Sequence, residues 1–88
     1  MPEKKLTITN QRGLHARASA KLVNLAGCFD AEVQLERDGE AVAATSIMGL
    51  MMLGASFGSV VILRTQGKDA DSALAAIVAL IENKFDEE

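Results

Sequence analysis

Residues 32–44 have the sequence EVQLERDGEAVAA, which carries the clearest secondary-structure signals in the chain. Polar and apolar residues alternate in its first half, with Val33 and Leu35 on one side, as in a strand that buries one face. Asp38-Gly39 follows, a pair that favours a tight hairpin turn because both central turn residues need positive φ. The residues after the turn return as a second strand. The stretch therefore predicts an antiparallel β-hairpin with one face toward a core.

Downstream of the hairpin, the sequence predicts a short helix and then a strand. Ser46 is a typical helix N-cap for the apolar run over residues 47–53. Leu50 and Leu53 are the predicted core residues of that helix. The run Val60-Val61-Ile62-Leu63 is nearly all β-branched and predicts a strand that is buried on much of both faces.

The C-terminal segment predicts a longer amphipathic helix. Asp69 is its predicted N-cap, and Lys84 lies near the predicted end, where a cation suits the helix dipole. Apolar residues recur at i, i+3, i+4, i+7 and i+11, which is one face of a helix. These residues are Leu74, Ile77, Val78, Ile81 and Phe85.

Upstream of the hairpin, residues 5–9 alternate as a strand, and a loop over residues 10–13 leads into a helix from about residue 16 to residue 26. Gly27 stands where a left-handed helix stop is expected. The order β-α-β-β-α-β-α predicts an α+β fold, an open-faced sandwich. Three helices, each with one apolar stripe, cover one face of a four-stranded antiparallel sheet. The apolar stripe of the first helix consists of Ala18, Leu22, Leu25 and Ala26.

Length and composition indicate one globular domain over residues 1–88, with 49% apolar and 24% charged residues. Cys28 is the single cysteine, so no internal disulfide is possible, and it is predicted to be a small buried apolar residue. Apolar runs of the ~18–20 residues that span a bilayer are lacking, and so is a signal peptide at the N-terminus. We therefore expect a soluble cytoplasmic protein without membrane insertion.

Several kinds of site are excluded by residue counts. One histidine and one cysteine are too few for a zinc site, and no nucleotide-binding glycine motif occurs, so neither a metal nor a cofactor is expected. The chain has no Trp or Tyr and only three Phe, and its net charge is −3. These features argue against nucleic-acid binding, which uses basic surfaces and aromatic stacking.

The charges are segregated along the chain. Between Lys4 and Phe29 there are five basic residues and no acidic one, whereas acidic residues cluster over residues 30–40 and again at the C-terminal end. The five basic residues are Lys4, Lys5, Arg12, Arg17 and Lys21. A basic patch on an acidic protein suits one anionic ligand or an acidic partner, although chance clustering on a solvated surface also explains it.

His15, the only histidine, lies where the predicted loop meets the first helix. The first N–H groups of a helix have no partners within the helix, carry partial positive charge and bind phosphate well. A phosphoryl group on a ring nitrogen of His15 is therefore expected to accept hydrogen bonds from the amides of Ala16, Arg17 and Ala18. The guanidinium of Arg17 would add a charge-assisted hydrogen bond. The alternative from these residues alone is that His15 is simply a helix N-cap or a surface histidine.

Two motifs resemble a known family. Gly13-Leu14-His15-Ala16-Arg17 closely resembles the active-site motif of the HPr family, the histidine phosphocarriers of the bacterial phosphotransferase system. The second signature of that family resembles residues 44–53, ATSIMGLMML. The amino-acid sequence of this second motif is more similar to that of the nitrogen-type branch, often called NPr, than to that of the sugar branch. The distance between the two motifs is the usual one for the family. The predicted order of helices and strands also matches that of the family over essentially the whole chain.

The resemblance implies a role for His15 and two partners. His15 would accept a phosphoryl group on Nδ1 from enzyme I, which is itself phosphorylated by phosphoenolpyruvate, and pass it to a histidine of an enzyme IIA. Arg17 would be the accompanying cation. Such a protein is a transfer intermediate rather than a stand-alone enzyme, and we expect a monomer. It would act in sugar uptake or in nitrogen-related regulation.

One position departs from the family pattern. Ala18 stands where the family commonly has proline, three residues after the histidine. Alanine restores an amide N–H that proline lacks, so one more donor is expected to face phosphate or water. We expect the function to survive, with altered stability of the phosphohistidine and an open question of partner preference.

The second motif carries two further expectations. Ser46 is a helix cap, and the resemblance also implies a regulatory phosphorylation site for an HPr kinase/phosphorylase, in organisms that have this enzyme. Residues 47–53 are more apolar than one short helix can bury. We therefore expect an exposed surface for partner docking. Its predicted members are Lys21, Ile47, Met48 and Met51.

The sequence is also compatible with a binding protein instead of a group-transfer protein. The chain would then be a regulatory binding module that transfers nothing and in which His15 is vestigial. The intact motif around His15 favours the carrier, and phosphorylation of His15 separates the two functions.

Overall fold

The computed structural model describes residues 2–87, so Met1 and the last residue of the acidic tail, Glu88, lie outside it. Within this range, the chain forms seven helices and strands followed by one short turn, Lys84–Asp86. They are β1 (Glu3–Thr7), α1 (Ala16–Ala26), β2 (Glu32–Arg37), β3 (Glu40–Ala43), α2 (Ile47–Met52), β4 (Val60–Gln66) and α3 (Ala70–Glu82). The predicted order β-α-β-β-α-β-α is confirmed. In residues 2–87, no helix combines the length and the apolar character that crossing a membrane requires.

The four strands form one antiparallel sheet in the order β1-β4-β2-β3. Strand β4 is central, and its Leu63 lies opposite Leu35 of β2, both fully buried. The core consists of these inward side chains and the apolar stripes of the helices, among them Leu22 of α1, Leu50 of α2 and Ile77 of α3. The predicted sheet with three helices on one face is therefore confirmed.

The hairpin between β2 and β3 forms as the sequence predicts. Asp38 and Gly39 have φ of 51° and 86°, and Arg37 pairs with Glu40 on either side of them. Positive φ at both central residues is the geometry that follows the right-handed twist of two antiparallel strands. The two residues thereby set the register that turns Val33 and Leu35 toward the core.

Strand β4 is buried on one face only, so the prediction of burial on both faces is wrong. Val61, Leu63 and Thr65 are buried, whereas Ile62 is half-buried and Val60 is exposed. No second layer covers the other face of the sheet in residues 2–87, so even its central strand reaches solvent there. The β-branched residues of this run reflect strand propensity rather than burial.

Two local predictions at the end of α1 are also wrong. Gly27 has a right-handed φ of −66° and donates its N–H to Val23 and Leu25 carbonyls, so the chain leaves α1 through a further right-handed turn. Cys28 is exposed at that turn, where its thiol donates to the Asn24 carbonyl at 3.5 Å.

Asp69 precedes α3 as predicted, but its carboxylate does not cap the helix. It accepts a hydrogen bond from the Asp30 N–H at 2.8 Å, which ties the loop before β2 to the start of α3. The Asp69 side chain therefore connects two loops instead of satisfying a helix N–H group.

The chain leaves α3 earlier than its apolar pattern predicts. The helix ends at Glu82, so Lys84 lies beyond its last turn, and residues Lys84, Phe85 and Asp86 have φ of 55°, 54° and 61°. This left-handed turn still buries Phe85 completely. It also redirects the end of the chain toward the start of α1, where Glu87 reaches His15.

Candidate functional site

A tight turn over residues 10–13 leads the chain from β1 to α1. The Gly13 N–H donates to the Asn10 carbonyl at 3.1 Å, and the Asn10 side-chain amide donates to the Gly13 carbonyl at 2.8 Å. Gly13 has a φ of +64°, and its backbone packs directly on Ala55 and Ser56. The Leu14 N–H donates to the Ala55 carbonyl at 2.8 Å, which fixes the residue before His15.

His15 is the N-cap of α1. Its backbone is extended (φ −77°, ψ 179°), and its carbonyl accepts the N–H of Ser19 at 2.9 Å. The amides of residues 16–18 therefore belong to the open end of the helix. The side chain turns back over this end, and its Nδ1 accepts the N–H of Arg17 at 3.3 Å. The histidine thus stands at the helix start, as predicted, with a lone pair on Nδ1.

The other ring nitrogen of His15 binds the C-terminal tail. Nε2 is hydrogen-bonded to the Glu87 carboxylate, whose second oxygen accepts the side-chain amide of Asn10 at 3.0 Å. The hydrogen bond from His15 is the main cause that lowers the pKa of the Glu87 carboxyl below its ordinary value of 4.5. The contact from Asn10 and the charge of Arg12 act in the same direction, and burial opposes them.

A polar cleft of about 420 Å³ is lined by Arg17 and Glu87, the two residues that are hydrogen-bonded to the His15 ring. Three of the five basic residues noted in the sequence line it, and it is closed on one side by the acidic tail. Its lining consists of Gln11, Arg12, Arg17, Lys21, Asp86 and Glu87. Such a combination of guanidinium and ammonium groups favours an anion that carries several oxygens, such as a phosphoryl group.

The predicted site residues do not all play equal parts in this geometry. Ala16 and Arg17 are exposed at the helix start, whereas the Ala18 side chain is fully buried. The ammonium of Lys21, which the sequence assigns to partner docking, donates to the Phe85 carbonyl at 2.7 Å. Lys21 thereby holds the tail against α1.

Helix α2 presents the second predicted surface. The Ser46 hydroxyl is exposed and accepts the Gly49 N–H at 3.0 Å, so its predicted N-cap is confirmed. Leu50 and Leu53 are buried as predicted. The expected exposure of three α2 residues is also confirmed: Ile47, Met48 and Met51. Sequence reasoning missed two apolar neighbours with still larger exposed fractions than Ile47 and Met51, namely Met52 and Phe57.

Three residues at His15 were missed as site residues: Asn10, Arg12 and Glu87. Arg12 was counted in the basic segment and Glu87 in the acidic tail, and their opposite charges are the signal that could have paired them. Asn10 gave a weaker signal, since Asn is common at the first position of a turn and its side chain typically bonds the local backbone.

The profile of the PTS-HPr family, described as the PTS HPr component phosphorylation site, matches residues 2–83. The phosphocarrier protein HPr of Cupriavidus necator is 53% identical over 87 residues, which are 99% of this chain and 98% of that protein. The phosphocarrier protein NPr of Shewanella violacea is 47% identical, over 97% of this chain and 93% of that protein. Names of both branches therefore occur at similar identity.

Solved structures agree with the sequence comparison. The crystal structure of HPr-C-His from Thermoanaerobacter tengcongensis superposes with a TM-score of 0.95 and 46% identity, covering 100% of this chain and 99% of that chain. A crystal structure of an HPr dimer from the same organism gives a TM-score of 0.76 at 46% identity, with 97% and 98% covered. The family match, the full-length relatives and the shared fold agree. The chain belongs to the HPr family, the phosphocarriers of the phosphotransferase system.

Proposed function

We propose that this phosphocarrier takes a phosphoryl group from phosphorylated enzyme I onto Nδ1 of His15 and passes it to a histidine of an enzyme IIA. The observation that carries the proposal is the placement of His15. Its Nδ1 faces the Arg17 N–H at the open end of α1, beside a cleft with three cationic side chains. The lone pair therefore lies at a helix start, where backbone N–H groups and the Arg17 side chain are available for an incoming phosphoryl group.

The cations and amides have a defined task in this proposal. When the phosphoryl group is on Nδ1, its oxygens replace the ring nitrogen as the acceptor of the Arg17 N–H. They also accept the N–H groups of Ala16 and Ala18 in the first turn. The Arg17 guanidinium, exposed at the rim of the cleft, neutralises the added charge. Positioning and charge stabilisation supply most of the catalysis in such transfers.

Phosphorylation of the intact protein tests the proposal. After incubation with phosphoenolpyruvate, Mg²⁺ and cognate enzyme I, intact mass is expected to rise by one acid-labile phosphoryl group. His15→Ala is expected to abolish this gain. Arg17→Ala is expected to slow it about tenfold, because a charge-assisted contact to the transferred group is lost. Lys68→Ala removes an exposed cation outside the cleft and serves as the matched control.

The outcomes of that experiment separate the two functions considered from the sequence. Absence of a mass gain with an enzyme I of proven activity would contradict the carrier and favour a binding module with a vestigial histidine. Equal rates for Arg17→Ala and Lys68→Ala would remove Arg17 from the site. A gain that persists in His15→Ala would place the phosphoryl group on another residue.

We also propose regulation at Ser46 by an HPr kinase/phosphorylase. The hydroxyl is exposed and already accepts the Gly49 N–H, so a phosphate there would lie at a helix start without disrupting the fold. Its charge would be added beside the apolar surface of α2 and would repel an acidic partner. The enzyme I interaction is therefore the step we expect it to weaken.

The docking surface in this proposal consists of Ile47, Met48 and Met51 of α2, together with Lys21 of α1. Exposed methionines are adaptable, which suits a carrier that must fit a donor and an acceptor in turn. We propose that the carrier works in the cytoplasm as a monomer. The ATSIMGLMML motif is more similar to the nitrogen-type branch of the family than to the sugar branch. This similarity supports a role in nitrogen-related regulation, with sugar uptake as the second candidate.

A further inference from the structure

The two ring nitrogens of His15 face groups that require different protonation states. Nδ1 lies 3.3 Å from the Arg17 nitrogen, a long contact to a donor that favours a lone pair there. Nε2 lies against the Glu87 carboxylate, an acceptor, and so must carry the proton. We infer that Glu87 is a positioning residue that holds His15 in the Nε2–H tautomer and so keeps Nδ1 available as the phosphoryl acceptor. The inference rests on the proposed acceptance at His15.

The carboxylate also suits the charge that develops during transfer. The Nδ1 lone pair forms the new N–P bond, while the P–N bond of the donor phosphohistidine breaks and its electron pair stays on the donor nitrogen. The proton on Nε2 does not move. The His15 ring therefore becomes an imidazolium, and a carboxylate hydrogen-bonded to Nε2 stabilises that positive charge.

The tail contact leaves the acceptor atom accessible. Glu87 binds the ring on the side of Nε2, whereas the phosphoryl group would arrive at Nδ1, over the open end of α1. A tail that blocked the reaction would have to cover Nδ1 instead. The geometry therefore supports assistance by Glu87 rather than inhibition.

Two further contacts fix the carboxylate in place. The side-chain amide of Asn10 donates one N–H to the Gly13 carbonyl and the other N–H to Glu87 Oε1. Its Oδ1 is buried and has no hydrogen-bond partner within residues 2–87. A buried unpaired acceptor is costly, so this orientation of the amide is retained for what its nitrogen binds. Lys21 holds the Phe85 carbonyl two residues before Glu87 and anchors the tail.

Removal of the carboxylate tests the inference. In Glu87→Ala we expect the initial rate of phosphorylation by enzyme I to fall about tenfold, as for loss of other carboxylates that orient a histidine. The ¹⁵N chemical shifts of His15, the only histidine, are expected to show Nε2–H in the unmodified protein at a pH where the ring is neutral. In Glu87→Ala they should shift toward a mixture of tautomers. Glu82→Ala removes an equal charge from the exposed end of α3 and should change neither measurement.

Each outcome has a defined meaning. An unchanged or faster rate in Glu87→Ala, or an unchanged tautomer, would overturn the inference while leaving the proposed function intact. A failure of the unmodified protein to accept phosphate would instead overturn the proposed function. The tautomer measurement does not need phosphorylation, so it decides on Glu87 even then.

The acidity of Glu87 gives an independent test on the unphosphorylated protein. Its lowered pKa means that the contact is fully present above the ordinary value of 4.5 and is lost as pH falls through the lowered value. A ¹³C titration of the Glu87 carboxyl should have its midpoint below 4.5. His15→Ala should raise that midpoint, because the hydrogen bond from the ring is lost. The other charged residues that line the cleft are unchanged in this variant, namely Arg12, Arg17, Lys21 and Asp86. A midpoint that is the same in both proteins would show that the carboxylate does not bind His15, and would overturn the inference.

Discussion

Gly13→Ala is expected to lower the free energy of unfolding by about 3 kcal/mol, the sum of a strained backbone and an overpacked contact. At a φ of +64°, a Cβ on residue 13 would lie 2.5 Å from the Ala55 carbonyl oxygen and 2.7 Å from Ser56 Cα. Both are backbone atoms, so no side chain can move aside. The loop at residues 55–56 must shift, and the hydrogen bond from Leu14 to Ala55 is then lost.

Gly39→Ala is the matched control for this prediction. Gly39 also has a positive φ, 86°, but a Cβ there would contact nothing within 4 Å. Gly39→Ala is therefore expected to lower the free energy of unfolding only by the cost of the left-handed backbone, about 1 kcal/mol. Urea denaturation of the two variants measures the difference. Equal losses would show that the turn before His15 does not pack tightly on residues 55–56.

The consequence for function is separate from stability. Leu14 and His15 are placed by the contact that Gly13→Ala disrupts, so the folded variant should also accept phosphate more slowly from enzyme I. Gly39→Ala, in the hairpin of β2 and β3, should keep the rate of the unmodified protein. A slow, folded Gly13→Ala would connect the loop at residues 55–56 to the geometry of His15.

Most of the fold could be predicted because its signals are local. Asp38-Gly39 specifies a turn through its own φ preferences, and Ser46 caps α2 through a hydroxyl three residues from the N–H that it binds. The helix start at His15 is local in the same sense. For β4 the expectation of burial on both faces is wrong, because β-branched residues favour a strand without indicating what covers each face.

The part of the candidate site that the sequence did not predict depends on contacts between residues that are distant in the chain. Glu87 lies 72 positions from His15 and reaches it only because the chain makes a left-handed turn at Lys84–Asp86. Residues other than glycine rarely adopt that conformation, so the apolar pattern predicted a helix that continued to Phe85. The pattern was right that Phe85 is buried and wrong about the backbone that buries it.

Phe85→Ala is expected to lower the free energy of unfolding by about 4 kcal/mol, within the range for truncating a buried aromatic side chain. Phe85 is fully buried, and three consecutive residues around it have left-handed backbone, each at a cost of about 1 kcal/mol or more. Burial of the ring is what offsets this strain. Without it, the turn should open and Glu87 should leave His15.

Phe57→Ala is the control, because Phe57 loses the same atoms from a side chain that is 63% exposed. Its effect on stability should stay within about 0.5 kcal/mol. Urea denaturation gives the stability of both variants, and the ¹⁵N shifts of His15 report whether Nε2 has lost its acceptor. If Phe85→Ala is destabilised but keeps the tautomer of the unmodified protein, Lys21 and Asn10 hold the tail without the ring. If the tautomer changes together with stability, Phe85 is the anchor through which the end of α3 places a carboxylate on the phosphoacceptor, since Phe57→Ala changes neither.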